Sequence, residues 1–151
     1  MIQQLIYLIA NTSRSILDAF AEPVIRKPIA ISLGAIAGAL TRYYLTLWCA
    51  NRFGINFPYG TFLINLTGCF MMGLFVAIAE RLTLINPELR LLIAVGFLGS
   101  YTTFSTYELE TYNFIRVGNI MSALFYWLSS AIMGFFSLQL GVIVSRLIIT
   151  K

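Results

Sequence analysis

The feature that most constrains this chain is a series of four long apolar segments. They cover about residues 29–51, 58–80, 87–115 and 119–149, and each reaches the roughly 20 mostly apolar residues that a helix needs to cross a bilayer. Only 11% of the residues are charged and the mean hydropathy is +0.84, whereas a soluble domain carries about 25% charged residues. The sequence therefore predicts an all-α membrane protein with four transmembrane helices in one domain.

Residues 1–27 precede the first apolar segment, so we treat them as an N-terminal extension and residues 28–151 as the membrane domain. Between residues 2 and 25, apolar and polar side chains alternate at roughly helical spacing. This pattern is typical of an amphipathic helix that lies on a membrane surface. The alternative is a leader without a role of its own.

The charged residues exclude several classes of function. Ten Lys and Arg residues are scattered along the chain and form no patch for nucleic acid. The chain has no histidine, and its two cysteines, Cys49 and Cys69, lie in no paired motif, so zinc sites and acid–base catalysis are disfavoured. We predict that the protein is not an enzyme.

The basic residues also indicate the orientation in the membrane. Seven of them fall on the side of the two termini and two on the other, which favours cytoplasmic termini.

The third apolar segment contains the stretch GFLGSYTTFSTY at residues 96–107. Two glycines and a run of hydroxyls are unusual in lipid, where every backbone N–H and C=O needs a partner within the protein. Because the segment is longer than one crossing requires, it fits a helix that is broken between Gly99 and Ser105. The alternative is a continuous, tilted helix whose Ser and Thr side chains bond to their own carbonyls.

Small residues recur at a spacing that lets helices pack closely. Ala30, Gly34 and Gly38 lie four residues apart on the first segment, and Gly68 lies three after Asn65 on the second. Such patterns bring helix backbones together in lipid. Four helices make a thin bundle that cannot shield a polar path, so we expect an oligomer, with a symmetric homodimer as the simplest choice.

Two polar side chains fall inside the first two segments. Arg42 lies well inside the first, where an arginine is costly unless it reaches the interface or faces water. It either extends to the interface or attracts anions into a polar vestibule. Asn65 offers two amide hydrogens and one carbonyl oxygen, so it either donates to an anion or bonds across to another helix.

Hydroxyls and aromatic rings form two further patterns. Tyr126 and Ser130 lie four residues apart on the fourth segment, and Gly134 continues the same face. These hydroxyls act as successive donors or bond to their own helix. Phe104 and Tyr107 lie three apart, and their partially positive ring edges suit an anion, although most aromatic residues in membrane helices simply pack.

Glu108 and Glu110 end the polar stretch of the third segment. Both are expected to be hydrated interface residues. A carboxylate beside an anion path repels the ion. Glu108 therefore either speeds the exit of an anion from a vestibule or pairs with Arg42.

Three motifs, GAIAGALTRYY, GTFLINLTGCFMMG and GFLGSYTTFSTYELE, resemble in order and spacing the Fluc (CrcB) family of fluoride channels. The resemblance covers residues 29–149. It implies a passive, fluoride-selective channel in the plasma (inner) membrane, which exports fluoride that entered as HF. It also implies an antiparallel homodimer with two pores and a structural sodium ion at the dimer axis.

The resemblance assigns roles to particular residues. Asn65 matches the motif asparagine that would donate to fluoride, and Arg42 matches an arginine consistent with a vestibule. The backbone carbonyls of Gly99 and Thr102 would hold the sodium ion. The other residues implied to line the fluoride pathway are Phe104, Ser105, Thr106, Tyr107, Tyr126 and Ser130.

Three features depart from the family pattern. Tyr107 stands in place of a phenylalanine, and Gly134 stands where a second serine is often found. An antiparallel dimer also requires insertion in both orientations, whereas the basic residues favour one.

Two other classes of function compete with a channel. A small four-span drug/proton exchanger would need a carboxylate embedded in the membrane, and the first segment contains no Asp or Glu. A membrane scaffold without transport activity would use Asn65 and the hydroxyls only to join helices.

Overall fold

The computed structural model describes residues 3–4, 22–81 and 85–149. Every regular element in these ranges is helical, as predicted. The elements are α1 (Pro23–Phe53), α2 (Tyr59–Arg81), α3 (Pro87–Arg90), a π-helical segment (Leu91–Leu98), α4 (Gly99–Tyr101), α5 (Phe104–Arg116) and α6 (Ile120–Ile149). Among them, α1, α2 and α6 are long and apolar enough to cross a membrane. The predicted amphipathic helix falls almost entirely outside the described residues.

The third apolar segment is broken, as one of the two interpretations predicts. Helical structure continues from Pro87 to Tyr101, and Thr102 (φ −77°, ψ 157°) and Thr103 (φ −148°, ψ 114°) are then extended before α5 begins. The alternative of a continuous tilted helix is wrong. Because α5 has 13 residues, it falls short of the roughly 20 needed for one crossing.

The first helix begins earlier than the apolar pattern predicts. α1 starts at Pro23 and passes through Pro28, where the missing N–H costs one intrahelical hydrogen bond. The helix therefore continues into the residues assigned to the N-terminal extension. Within it, Arg26 forms an ion pair with Glu88 of α3 (3.4 Å).

The start of the third segment follows from its sequence. Asn86 lies just before α3, and its Oδ1 accepts the backbone N–H of Leu89 (2.7 Å). Pro87 occupies the first helical position, where a missing N–H removes no helical hydrogen bond. Nearby, the Arg90 guanidinium donates to the backbone carbonyl of Ala79, so this end of α2 is joined to α3.

The opposite end of the bundle is formed by two turns. Gly54 after α1 and Gly118 after α5 both have φ 80°, a conformation that other residues rarely adopt. Phe57 of the α1–α2 turn contacts the rings of Phe114 and Tyr126, with centroids 6.5 and 5.4 Å apart. The α1–α2 turn therefore lies against the end of α5 and the start of α6.

Glycines bring α1 into backbone contact with the π-helical segment. A methyl group added at Gly34 would lie 2.0 Å from the Leu92 carbonyl oxygen, and one at Gly38 would lie 2.2 Å from that of Phe97. The predicted packing role of Ala30, Gly34 and Gly38, all buried, is confirmed. The π-helical geometry itself is not signalled by the uniformly apolar sequence LLIAVGFL.

Glycines also bring α2 into backbone contact with α6. A methyl group at Gly73 would lie 2.1 Å from the Leu138 carbonyl oxygen, and one at Gly141 would lie 2.1 Å from that of Phe70. Both pairs place helix backbone against helix backbone, which neither helix can relieve by a side-chain rotation. The α2–α6 pair is therefore closely packed, and α5 of the broken segment packs against α6.

Substitution at Gly141 tests this packing. We expect Gly141→Ala to lower the thermal unfolding temperature of the purified protein, because overpacking a tight contact costs about 1–3 kcal/mol. The matched control is Gly134→Ala on the same helix, where the added methyl would lie 3.5 Å from Cys69 Sγ, an ordinary contact. Equal unfolding temperatures for the two variants would contradict the proposed role of Gly141.

Candidate ion site

The break between α4 and α5 is held by side chains. Thr103 caps α5, because its Oγ1 accepts the N–H of Thr106 (3.3 Å). The same Oγ1 donates to the Thr106 hydroxyl (2.9 Å), and the Thr102 hydroxyl donates to the Leu98 carbonyl (3.0 Å). The hydroxyls that the sequence places here therefore bond to one freed backbone group, the Thr106 N–H, and to other groups beside the break, as expected for a break in lipid.

Asn65 of α2 makes two hydrogen bonds to one residue of the break. Its Oδ1 accepts the Thr103 N–H (2.9 Å), and its Nδ2 donates to the Thr103 carbonyl (3.1 Å). Asn65 therefore bonds to another membrane segment, as one of its two interpretations predicts, through the residue that caps α5. The second Nδ2 hydrogen makes no hydrogen bond within the described residues, so donation to an anion stays open.

The four consecutive backbone carbonyls from Gly99 to Thr102 lack hydrogen-bond partners in the described part of the chain, and two of them, Gly99 and Thr102, are those to which the resemblance assigns a role. In the described part of the chain, no donor reaches the carbonyl oxygen of Gly99 or of Thr102. Both residues line an open cavity of about 750 Å³ between α1 and the break, which we call the outer cavity. Unpaired carbonyls at a helix break are suitable ligands for a hard cation, although two oxygens do not complete its coordination.

Arg42 and Ser105 also line the outer cavity. Arg42 is half-buried, and no carboxylate within the described residues forms an ion pair with it. The guanidinium therefore faces a polar opening without a carboxylate beside it. This arrangement suits the attraction of anions.

A second cavity of about 380 Å³ lies on the other side of the break, between α2, α5 and α6. We call it the inner cavity. Its wall includes Asn65, Phe104, Tyr107, Glu108 and Ser130. Ser130 is only 8% exposed, and its Oγ is the one buried side-chain oxygen or nitrogen in the described residues without a hydrogen-bond partner. Such a hydroxyl is costly unless a ligand or water fills the cavity.

Phe104 and Tyr107 share the inner cavity but differ in their surroundings. Phe104 is 74% exposed and Tyr107 is 5% exposed, with their ring centroids 5.8 Å apart. The Tyr107 hydroxyl donates to the Trp127 carbonyl (2.6 Å), so this extra oxygen joins α5 to α6. The Tyr107 ring still borders the cavity, whereas its hydroxyl proton is committed elsewhere.

Two other predicted residues have different surroundings. Thr106 lines neither cavity, and its side chain bonds to Thr103. Glu108 accepts a hydrogen bond from the Trp127 indole (3.2 Å) in the inner cavity, while Arg42 lies in the outer cavity. The suggested Glu108–Arg42 pair is therefore absent from the described residues of a single chain.

Glu110 has contacts that the sequence analysis missed. Its Oε1 accepts the Thr61 hydroxyl (2.8 Å), and its Oε2 accepts the Tyr126 hydroxyl (2.7 Å). The expectation of a hydrated interface residue is thereby corrected, since Glu110 is half-buried and Tyr126 fully buried. Helical spacing was the available signal, because Glu110 lies three residues after Tyr107 and therefore on the same face.

This network separates the inner cavity from a third one at the end of the bundle. The end cavity has a volume of about 380 Å³, and its lining includes Thr61, Glu110 and Asn113 together with the α1–α2 turn. Tyr126 stands between the two, because its ring contacts Tyr107 at 5.3 Å between centroids while its hydroxyl bonds to Glu110. Of the two hydroxyls that the sequence places on one face of α6, that of Tyr126 therefore has a hydrogen-bond partner and that of Ser130 has none in the described residues.

The hydrogen bond from Tyr126 to Glu110 can be tested by a single-atom change. We expect Tyr126→Phe to lower the free energy of unfolding by about 1.5–3 kcal/mol, the usual value of a hydrogen bond to a charged group. Tyr112→Phe is the matched control, since Tyr112 is exposed on the same α5 helix as Glu110. Equal stability of the two variants, measured by denaturant unfolding in detergent, would exclude a contribution from this hydrogen bond.

Comparison with known proteins identifies the family. A family model described as CrcB-like protein, Camphor Resistance (CrcB), matches residues 29–142. The fluoride-specific ion channel FluC of Trichormus variabilis is 63% identical over 127 residues, which are 83% of this chain and 93% of the relative. Those of a Synechococcus and a Synechocystis strain are 53% and 52% identical, over 83% and 81% of this chain and 97% and 94% of the relatives. The chain therefore belongs to the Fluc (CrcB) family.

Proposed function

We propose that the protein is a passive, fluoride-selective channel that exports fluoride across the plasma (inner) membrane. The observation that carries this proposal is the similarity to relatives named fluoride-specific ion channel, at 63% identity over nearly the whole relative. Because the family consists of ion channels, the protein is not an enzyme. Its three long apolar helices fit an integral membrane protein.

The inner cavity supports a location for the ion pathway. Fluoride is strongly hydrated, so a pore must replace its water with donors at suitable positions. The unpartnered Ser130 hydroxyl, the second amide hydrogen of Asn65 and the ring edges of Phe104 and Tyr107 are such donors. Fluoride would pass along this wall toward the Tyr126–Glu110 network.

The outer cavity supports a vestibule and a cation site. Arg42 would draw anions toward the break, and Ser105 would offer its hydroxyl in the same cavity. The carbonyls of Gly99 and Thr102 would hold a structural sodium ion, which would stay in place while fluoride passes. Thr106 would contribute through its bonds to Thr103, and Glu108 would border the exit of the pathway.

A second copy of the chain is part of the proposal. The outer cavity is open, Phe104 is 74% exposed, and two carbonyls leave a cation short of ligands. In an antiparallel homodimer, the second subunit would cover these surfaces. Because a two-fold axis relates the subunits, the same carbonyls would be supplied twice and two equivalent pores would form. Such a dimer requires insertion in both orientations.

The test is release of ions from liposomes that contain the purified protein. A fluoride electrode follows fluoride efflux, and a chloride electrode follows chloride in a matched preparation. We expect fast fluoride release with chloride retained. The release should begin only after valinomycin provides compensating potassium flow, because a passive channel moves net charge. No release above that of empty liposomes, from protein shown to be dimeric, would favour a scaffold.

A proton-coupled exchanger is the second candidate, and Glu110 is the observation in its favour. Such exchangers need a carboxylate within the membrane domain, and Glu110 is half-buried beside Tyr126. An exchanger would move protons in one direction and a cationic substrate in the other. It would therefore transport the cation without valinomycin and would not release fluoride. The same liposomes, with a pH-sensitive dye inside and a small organic cation outside, therefore separate the two functions.

Ser130 offers the sharpest single substitution within the pathway. We expect Ser130→Ala to reduce fluoride efflux by about tenfold or more, because one hydrogen bond to an ion is worth roughly 1.5–3 kcal/mol. Ser129→Ala on the same helix is the matched control, since the Ser129 hydroxyl bonds to the Tyr126 carbonyl (3.4 Å) outside the inner cavity. Equal efflux from both variants would exclude Ser130 as a donor to fluoride.

A further inference from the structure

The carbonyls of Gly99 and Thr102 at the break are unpaired because other acceptors have taken their donors. In a continuous α-helix, the N–H of Thr103 would bond to the Gly99 carbonyl, and that of Thr106 would bond to the Thr102 carbonyl, each four residues back. Instead, the Thr103 N–H donates to Asn65 Oδ1 (2.9 Å), and the Thr106 N–H donates to Thr103 Oγ1 (3.3 Å). Two side chains therefore take the donors of the Gly99 and Thr102 carbonyls, whereas the carbonyls of Ser100 and Tyr101 between them are open without such a side chain.

Asn65 also fixes the direction of the Thr102 carbonyl. The Thr102–Thr103 peptide bond is trans, so the Thr102 C=O points opposite to the Thr103 N–H. Because that N–H points at α2, the carbonyl points away from α2. Thr102 lines both cavities, and the outer cavity is the one whose lining contains no residue of α2. A peptide unit whose N–H already donates is also a stronger acceptor through its C=O.

Other contacts bring the break close to α2 without touching this peptide unit. The hydroxyls of Thr67 and Tyr101 lie 2.8 Å apart, and a methyl group added at Gly68 would lie 2.2 Å from Thr102 Cγ2. These contacts set the distance between the break and α2. The direction of the carbonyls is set by Asn65 and Thr103.

We propose that Asn65 and Thr103 are positioning residues that hold the carbonyls of Gly99 and Thr102 open for a cation. This inference rests on the proposed function, because the cation is the structural sodium ion of the same dimer. The inference gives Asn65 a second role besides donation to fluoride. It also gives a role to Thr103, to which the sequence analysis assigns none. One asparagine thereby joins the inner cavity to the outer one.

The experiment is thermal unfolding of the purified full-length protein in detergent, in sodium chloride or in N-methylglucamine chloride of equal ionic strength. We expect sodium to raise the unfolding temperature of the wild type, since a ligand that binds only the folded state stabilises it. In Asn65→Ala and Thr103→Val, the sodium concentration for half of this shift should rise by about tenfold or more, as expected for the loss of one hydrogen bond that fixes a ligand.

Two variants serve as controls. Thr103→Ser keeps the hydroxyl acceptor and should respond to sodium like the wild type. Thr67→Val removes the hydroxyl contact with Tyr101 but neither bond described above, so it should also keep the sodium response. If Asn65→Ala does not fold, the Thr103→Val and Thr103→Ser pair decides the question. Hydrogen exchange of residues 101–106 provides a second measurement, and exchange should be faster in Asn65→Ala.

The outcomes separate this inference from the proposed function. Absence of a sodium shift in the wild type, or a wild-type shift in both Asn65→Ala and Thr103→Val, overturns the positioning role. Fluoride efflux of the wild type is measured independently. Efflux without a sodium shift keeps the channel and rejects the inference, whereas a sodium shift that depends on Asn65 and Thr103 without efflux keeps the inference and rejects the channel.

Discussion

The broken third segment depends on one requirement, that every backbone group freed inside lipid must find a partner. Asn65 meets this requirement for Thr103, because an amide side chain presents a donor and an acceptor side by side. It bonds to both the N–H and the C=O of that residue. A hydroxyl or a carboxylate at this position would satisfy only part of the pair, which explains why an uncharged amide stands here.

The position of Asn65 depends in turn on helix packing. α2 is fixed against α6 by backbone contacts at Gly73 and Gly141, and α1 is fixed against the π-helical segment at Gly34 and Gly38. Both contacts replace side-chain interdigitation by direct backbone approach, as helices in lipid often do. The break therefore lies between two closely packed helix pairs, one on each side. Their separation leaves the inner cavity on the α6 side and the outer cavity on the α1 side.

The polar groups of the inner cavity differ in how far they are already satisfied. The hydroxyls of Tyr107 and Tyr126 donate to the Trp127 carbonyl and to Glu110, whereas the Ser130 hydroxyl has no partner in the described residues. A wall with some donors committed and others free is rigid and can still receive an anion. In the proposed channel, the committed groups would keep the path at a fixed width while the free ones replace water around fluoride.

The sequence by itself predicted the all-helical membrane fold and the close-packing role of Gly34 and Gly38, and it limited a break in the third segment to residues 99–105 without deciding between a broken and a continuous helix. These features follow from local composition, since apolar length, glycines and hydroxyls act where they stand in the chain. Only the tertiary structure decided that Asn65 bonds to Thr103, that Glu110 joins Thr61 to Tyr126, and that Arg42 and Glu108 lie in different cavities. Such partners are separated by tens of residues, and their meeting depends on the rotation and register of whole helices. A single sequence does not encode that geometry in any local pattern.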